Sequence, residues 1–234
     1  MFPCKKIAVM VAAATLALVG VATLDGTSTE IETVAGPKPI VGGTNVSSAP
    51  WAAAVYLGSS FNCSGAVIAD KWVLTAKHCL GSSINVRVGN AKKSLGKQIT
   101  VTRSVTPPSG ADLALLELSG SAGTSSVGLT DTDPPVGSTN DIYGWGRTSC
   151  EGTGPDQMKT ASVRVDTVNG QDAYGGSAIS STGVNGYAWK GDSGGPQMYQ
   201  GKIVGVASTA DCGNHQNYGS VAKSRAWIRS TAGV

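Results

Sequence analysis

The 234-residue chain is poor in charged and aromatic side chains. Only 14% of its residues are Asp, Glu, Lys or Arg, and 6% are Phe, Trp or Tyr. A net charge of +3 is too small to predict nucleic acid or an anionic membrane as the main partner. With 41% hydrophobic residues, the low charge excludes an intrinsically disordered chain. The 32 glycines have no period of three, which excludes collagen and predicts many tight turns.

Metal-binding patterns are also lacking, because the chain has only two histidines and no Cys-x-x-Cys pair. We therefore expect no metal and no cofactor. One cysteine, Cys4, lies in the N-terminal segment. The other four are Cys63, Cys79, Cys150 and Cys212. An even number in an exported chain predicts two disulfides, for which three connectivities are possible.

The N-terminus resembles a secretory signal. Lys5 and Lys6 precede an apolar run over 7–21 that ends in small residues. We predict a signal peptide over 1–22 and hence a secreted, extracellular protein. The alternative is an uncleaved membrane anchor, for which the run is short. Residues 23–39 are polar, end in Gly-Pro-Lys-Pro and are typical of a propeptide or linker.

The remainder of the chain has the two-residue period of β-strands. Apolar residues alternate with polar ones over 84–88, 99–102 and 162–165, and turn residues separate these runs. The pattern predicts an all-β sandwich or barrel. One helix is predicted over 222–230. The Ser-, Gly- and Pro-rich segment 120–137 is the best boundary between two halves.

The stretch 71–111 has seven Lys or Arg and no Asp or Glu. It is compatible with a basic binding face, but we favour an unevenly charged solvated surface.

The residues required for serine-based nucleophilic catalysis are all present. Such catalysis needs a serine, a base to take its proton, a group that orients the base, and donors for an oxyanion. Ser193 lies among glycines that allow amides to converge, although such a stretch taken alone is usually a turn. His78 adjoins a cysteine, whereas His215 lies in a polar loop where exposure to solvent is expected. Asp112 opens an apolar run and is either a buried partner of a histidine or a strand-start residue facing water.

Five segments occur in an order that resembles the trypsin/chymotrypsin family of serine proteases. They are IVGG at 40–43, TAKHC at 75–79, DLALL at 112–116, GWG at 144–146 and GDSGGP at 191–196. The resemblance runs from Ile40 to Trp227-Ile228, and the short loops and signal are similar to those of secreted actinobacterial members.

The resemblance implies an all-β fold of two antiparallel six-stranded β-barrels with the site between them and a short C-terminal helix. The protease domain would be 40–234, with barrels at about 40–126 and 127–234. Ser193 would be the nucleophile, His78 the general base and Asp112 its orienting partner. The amides of Gly191 and Ser193 would form the oxyanion hole.

The resemblance also implies supporting residues. Ser208 matches the serine that supports the triad aspartate, and it would also lie beside the bound substrate. Cys63 would pair with Cys79, which leaves Cys150 with Cys212 in a departure from the family pattern. Cleavage before Ile40 would free an ammonium that pairs with Asp192, so the chain would be a zymogen. Pro39 and Lys38 precede that bond, where a trypsin-like enzyme would cut poorly, so either a different processing enzyme acts there or the mature N-terminus lies elsewhere.

The substrate pocket departs from the pattern of trypsin-type enzymes. Its floor position falls on Tyr187 in place of the aspartate of trypsin-type enzymes, and Ala210 stands where glycine is usual. Trp189 replaces a usual cysteine, so the register is open by one residue. With no acid on the floor, Lys and Arg would be poorly accepted.

We therefore expect a monomeric serine endopeptidase acting on polypeptides, with an activating protease as a further partner and no stable membrane association. The alternatives are a catalytically silent binding protein and an esterase that uses the same triad.

Overall fold

The computed structural model describes residues 40–234. The predicted signal peptide (1–22) and propeptide (23–39) lie outside the described residues. Among residues 40–234 no helix is long and apolar enough to cross a membrane.

Two short strands open this part of the chain, β1 (Val41–Gly42) and β2 (Thr44–Asn45). The next six strands close into an antiparallel barrel in the order β3-β4-β5-β8-β7-β6. They are β3 (Ala52–Leu57), β4 (Ser60–Ala69), β5 (Trp72–Thr75), β6 (Ile84–Val88), β7 (Lys97–Val105) and β8 (Ala114–Leu118). Alternate side chains such as Val86 and Val88 are buried inside it, as their two-residue period predicts.

The second half forms another antiparallel barrel. Its strands are β9 (Thr139–Gly144), β10 (Lys159–Gln171), β11 (Ser177–Gly183), β13 (Pro196–Tyr199), β14 (Lys202–Ala210) and β15 (His215–Ser220), with the short β12 (Gly186–Tyr187) beside them. The order β9-β10-β11-β15-β14-β13 closes because β13 pairs with β9. The predicted all-β fold of two six-stranded barrels is confirmed.

The chain passes from one barrel to the other within the predicted boundary segment. The amide of Val127 donates to Val67 of the first barrel, and that of Thr130 donates to Ile203 of the second. This crossover agrees with a division near residues 126 and 127.

The start of the first half needs correction, because residues 41–45 pair with the second barrel. β1 pairs with β12, and β2 pairs with β10. Gly42 and Gly43 have positive φ angles of 93° and 68°, and a Cβ on either would collide with backbone atoms of the second barrel. The segment therefore packs closely against that barrel, and the first barrel begins at β3.

A single α-helix, α1 (Val221–Ala232), follows β15. It starts one residue earlier and ends two residues later than predicted. The Ser220 hydroxyl accepts the Lys223 amide at 3.2 Å and caps the N-terminus. Gly233 ends the helix in the left-handed conformation, with φ of 76°. Ile228 is buried and Trp227 partly buried, as predicted.

Candidate active site

The first barrel positions a histidine and an aspartate side by side. His78 lies in a 3₁₀ turn over Lys77–Cys79, and the Cys63–Cys79 disulfide ties this turn to β4. His78 Nδ1 lies 2.7 Å from Asp112 Oδ2, and the His78 amide donates to Asp112 Oδ1 at 3.0 Å. Two contacts from one residue fix the orientation of the imidazole, whose side chain is 28% exposed. Its other nitrogen is therefore free to face a substrate or nucleophile.

Asp112 is completely buried just before β8. Burial raises its pKa, but hydrogen bonds from His78 and Ser208 outweigh this effect, and the pKa lies below the ordinary aspartate value. The Ser208 hydroxyl donates to Asp112 Oδ2 at 2.5 Å. The carboxylate thus stays charged, which holds the adjacent His78 N–H in place and stabilises an imidazolium.

A second carboxylate, which the sequence did not single out, supports Asp112. Asp172 Oδ2 accepts the Asp112 amide at 2.8 Å, and its other oxygen accepts the amides of Tyr174 and Gly176. The Ala173 amide donates to the Ser208 hydroxyl at 3.0 Å. The loop 172–176 therefore holds both Asp112 and its serine partner. Asp172 follows a long strand and precedes Gly175-Gly176, and this turn-like context did not distinguish it from any surface aspartate.

Ser193 comes from the second barrel and is anchored to the first. Its carbonyl accepts the Ser64 amide at 2.8 Å, and the Ser64 hydroxyl donates to the Gly191 carbonyl at 2.9 Å. Gly194, with φ of 78°, leaves no room for a Cβ against Thr75 and Ser64. Ser64 follows Cys63 and Thr75 lies three residues before His78, so the serine loop docks beside the histidine turn. Within 40–234 no hydrogen bond joins the Ser193 hydroxyl to the His78 ring.

The backbone amides of the serine loop fall into two groups, those with an acceptor and those without one. The Gly194 and Gly195 amides donate to the carbonyls of Ala207 and Asp192, each at 2.8 Å. The amides of Gly191 and Ser193 have no acceptor among the described residues. Two unpaired N–H groups next to a serine are the donors that an oxyanion requires.

Asp192 is buried beneath this loop. Its carboxylate accepts the Gly146 amide at 2.7 Å and the Trp189 amide at 2.9 Å. A Cβ on Gly144 or Gly146 would collide with it, which explains the glycines around Trp145. Burial raises the pKa of Asp192 to about 7, although both amides oppose the shift. Within 40–234 no cation pairs with it.

Ile40 is also buried, in an apolar cluster that includes Ala188 and Tyr218. Burial and the negative charge of Asp192 raise the pKa of Tyr218. Tyr218 therefore belongs to the apolar cluster around Ile40 and also feels the charge of Asp192. Ile40 has φ of 41°, which is strained for a β-branched residue.

A cavity of about 250 Å³ adjoins Ser193, and we call it the primary pocket. Most of its lining residues are small. The full lining is Ala188, Trp189, Lys190, Ser193, Ala207, Ser208, Thr209 and Ala210. Ala210, the predicted wall residue, is one of these lining residues. Tyr187 does not, because β12 directs its hydroxyl to the Cys212 carbonyl at 3.2 Å; Ala188, one residue later, takes that place. The buried Gln216 accepts the Ala188 amide at 2.6 Å and supports the wall.

The second disulfide joins Cys150 to Cys212 beside this pocket. The indole N–H of Trp189 donates to the Cys150 carbonyl at 3.1 Å, and Tyr187 donates to Cys212. Both cysteines therefore brace the segment that carries the pocket wall.

Two remaining features are separate from this chemistry. His215 lies on β15 with its ring 3.1 Å from the Thr182 hydroxyl, so of the two histidines only His78 contacts Asp112. Cys63, His78 and Cys79 lie within 4.8 Å of one another, as metal ligands do, but both sulfurs are consumed by the disulfide.

Comparison with known proteins gives a consistent result. A model of the Trypsin family matches residues 40–228. The chain is 32% identical to trypsin beta of Drosophila erecta, over 82% of this chain and 88% of that protein. It is 30% identical to kallikrein-8 of Mus musculus, over 79% and 82%. The solved structure of neuropsin, a serine protease of mouse brain, superposes with a TM-score of 0.70 and 28% identity, over 78% of this chain and 94% of that one.

Proposed function

Because this chain belongs to the trypsin family and is a serine endopeptidase, we propose that it is secreted as an inactive precursor and cleaves polypeptides after uncharged side chains of modest size. The observation that carries the catalytic assignment is the buried Asp112 carboxylate, 2.7 Å from a partly exposed His78 beside the Ser193 loop. The similarity to actinobacterial members, which rests on short loops and the N-terminal segment, remains a prediction.

In the proposed reaction His78 takes the proton of Ser193 as the hydroxyl attacks the substrate carbonyl. The free amides of Gly191 and Ser193 stabilise the oxyanion that forms. Asp112 holds the imidazolium until its proton passes to the leaving amine. Water then attacks the acyl-enzyme with His78 as base, which regenerates the serine.

The primary pocket supports a preference for uncharged side chains. None of its lining residues is acidic, and Lys190 at its edge repels a cation. An Arg or Lys side chain would therefore enter without a counter-charge, which is strongly unfavourable. Ala210 and Thr209 add side-chain atoms to the wall that favour a residue of modest size.

Precursor activation is supported by two buried features, the acid Asp192 and the chain segment that begins at Ile40. Asp192 lacks a cation among the described residues, and Ile40 is already seated with β1 against β12. Cleavage before Ile40 would supply an ammonium and release its strained φ torsion. Lys38-Pro39 before that bond points to an activator other than a trypsin-like enzyme.

The test uses protein processed to begin at Ile40. A fluorophosphonate probe should label the wild type at Ser193, and casein should be digested. Ser193→Ala should lose both reactions, with turnover about 10⁶-fold lower, the loss seen on triad removal in an unrelated serine protease. Absence of labelling would favour the silent binding protein. Labelling and ester cleavage without casein digestion would favour the esterase. Ser180→Ala, a change of another second-barrel serine, serves as the matched control.

A further inference from the structure

A second cavity, of about 340 Å³, adjoins the serine loop at Gly191. Gly191 lines this cavity, Ser193 lines the primary pocket, and Lys190 borders both. We call the second cavity the cationic pocket, because Lys93, Arg147 and Lys190 are among its lining residues and no acidic residue is.

Two of these cations carry uncompensated charge. Arg147 and Lys190 form no ion pair with any residue of 40–234. The Arg147 amide donates to the Lys190 carbonyl at 2.8 Å, which holds the two residues side by side. Their charges therefore act together on whatever occupies the cavity.

The third cation, Lys93, is held against an apolar wall. Its ammonium donates to the Pro155 carbonyl and lies 5.0 Å from the centre of the Phe61 ring. Burial lowers the pKa of Lys93, and the neighbouring Asp156 only partly opposes this. Asp156 is itself bound to the amide and hydroxyl of Ser94. An anion in the cavity would stabilise the charged form of Lys93.

We propose that the cationic pocket binds an acidic side chain of the polypeptide substrate, one or two residues after the scissile bond. The inference rests on the proposed function, in which Gly191 and Ser193 hold the scissile carbonyl and the primary pocket holds the preceding residue. A substrate chain that continues past Gly191 then reaches the cationic pocket. Its ring-lined wall and its three cationic residues suit a carboxylate on a short apolar stem, that of Asp or Glu.

The experiment uses quenched-fluorescent peptides that are identical up to the scissile bond. The first two residues after it carry Asp, Glu, Asn, Gln or Lys in turn. We expect the acidic peptides to be cleaved roughly 10-fold faster in kcat/KM than their amide counterparts at low salt. The ratio should shrink about threefold or more at 0.5 M salt, because these pocket charges are reached by solvent.

Variants separate the pocket from the rest of the surface. Arg147→Ala/Lys190→Ala should bring the ratio of acidic-peptide to amide-peptide cleavage close to one, whatever the change in absolute rate, because the peptides compared are identical up to the scissile bond. Arg147→Glu/Lys190→Glu should reverse it in favour of Lys peptides. Lys202→Ala, which removes an exposed lysine on the second barrel, is the matched control and should retain the preference.

The outcomes distinguish the two proposals. Equal cleavage of acidic and amide peptides by wild type, or a preference unchanged in both double variants, would overturn the cationic-pocket proposal and leave the protease intact. No cleavage of any peptide together with no fluorophosphonate labelling would overturn the proposed function itself, and the cationic-pocket proposal with it.

Discussion

At the scale of single residues, Asp192 has the most unusual environment in the described structure. Its carboxyl group is fully buried, accepts two amides and has a pKa of about 7. A buried acid with a raised pKa holds its proton more tightly in the folded state than in the unfolded state. The folded state therefore loses stability as pH rises from the unfolded pKa, near about 4, towards 7.

We predict that the precursor loses about 3 kcal/mol of unfolding free energy between pH 4 and pH 7 through Asp192. In protein cleaved before Ile40 the new ammonium should lower the pKa of Asp192 and remove most of this loss. Urea unfolding of both forms at several pH values measures the effect. Asp192→Asn in the precursor should flatten the pH dependence, whereas Glu151→Gln, at an exposed position, should not. Parallel curves for precursor and cleaved protein would contradict the prediction.

At the scale of structural elements, the loop 172–176 acts as a support for the catalytic aspartate. It binds the Asp112 amide through Asp172 and the Ser208 hydroxyl through the Ala173 amide. Asp172 touches no reacting atom in the proposed mechanism, so it is a positioning residue.

We predict that Asp172→Asn lowers kcat roughly 10-fold to 100-fold with little change in KM, the range expected for a lost hydrogen bond to a charged group. The new amide would direct an N–H at the Asp112 amide, and the carboxylate below His78 would shift. The acid limb of the pH–rate profile should move, which a purely structural residue would not cause. Asp141→Asn, which alters another hydrogen-bonded carboxylate of the second barrel, is the control. An unchanged profile and kcat would refute the role.

The two disulfides brace different parts of the site. Cys63–Cys79 holds the His78 turn, whereas Cys150–Cys212 holds the Trp189 side of the primary pocket. Because the second bridge spans 62 residues of sequence, loop-closure entropy gives it about 4 kcal/mol of stabilisation.

We predict that Cys150→Ser/Cys212→Ser raises KM for peptides more than it lowers kcat. The matched variant, Cys63→Ser/Cys79→Ser, should mainly lower kcat. Steady-state kinetics on samples shown to be folded by circular dichroism test this contrast. If kcat and KM change in the same way in both double variants, the contrast between the two bridges is wrong and they act on stability alone.

At the scale of the whole molecule, the N-terminal segment joins the start of the described chain to the second barrel. β1 and β2 follow Ile40, yet they pair with the second barrel near the serine loop. The apolar cluster around Ile40 also includes Ala188 and Ala207 of the primary pocket. Events at residue 40 are thereby coupled to substrate binding.

We predict that the precursor is about 10²–10³-fold less active at pH 7.5 than protein cleaved before Ile40, since the buried Asp192 carboxylate has no cation partner until cleavage frees the Ile40 ammonium. Cleaved Asp192→Asn should stay near the precursor level. Peptidase assays on the three proteins, normalised by total protein, measure this. Similar rates in all three would disprove activation by the ion pair while leaving the triad assignment standing.

The sequence by itself predicted the fold class and the residues proposed to carry the chemistry. Two-residue alternation such as that of Val86 and Val88 indicated an all-β sandwich or barrel, because buried and exposed faces alternate along a strand, and the family resemblance implied the two barrels. Five ordered motifs identified His78, Asp112 and Ser193, since catalysis restricts the residue types at these positions.

Only the tertiary structure decided which residues surround those groups. Asp172 lies 60 residues from Asp112 in sequence, and Lys93, Arg147 and Lys190 are equally dispersed, so no local pattern links them. Tyr187, the predicted floor position, does not line the primary pocket, whereas Ala188 does, because the pairing of β12 with β1 sets which side chain faces inward. The charge state of Asp192 likewise depends on burial and partners, which are properties of the packed barrels and not of the chain.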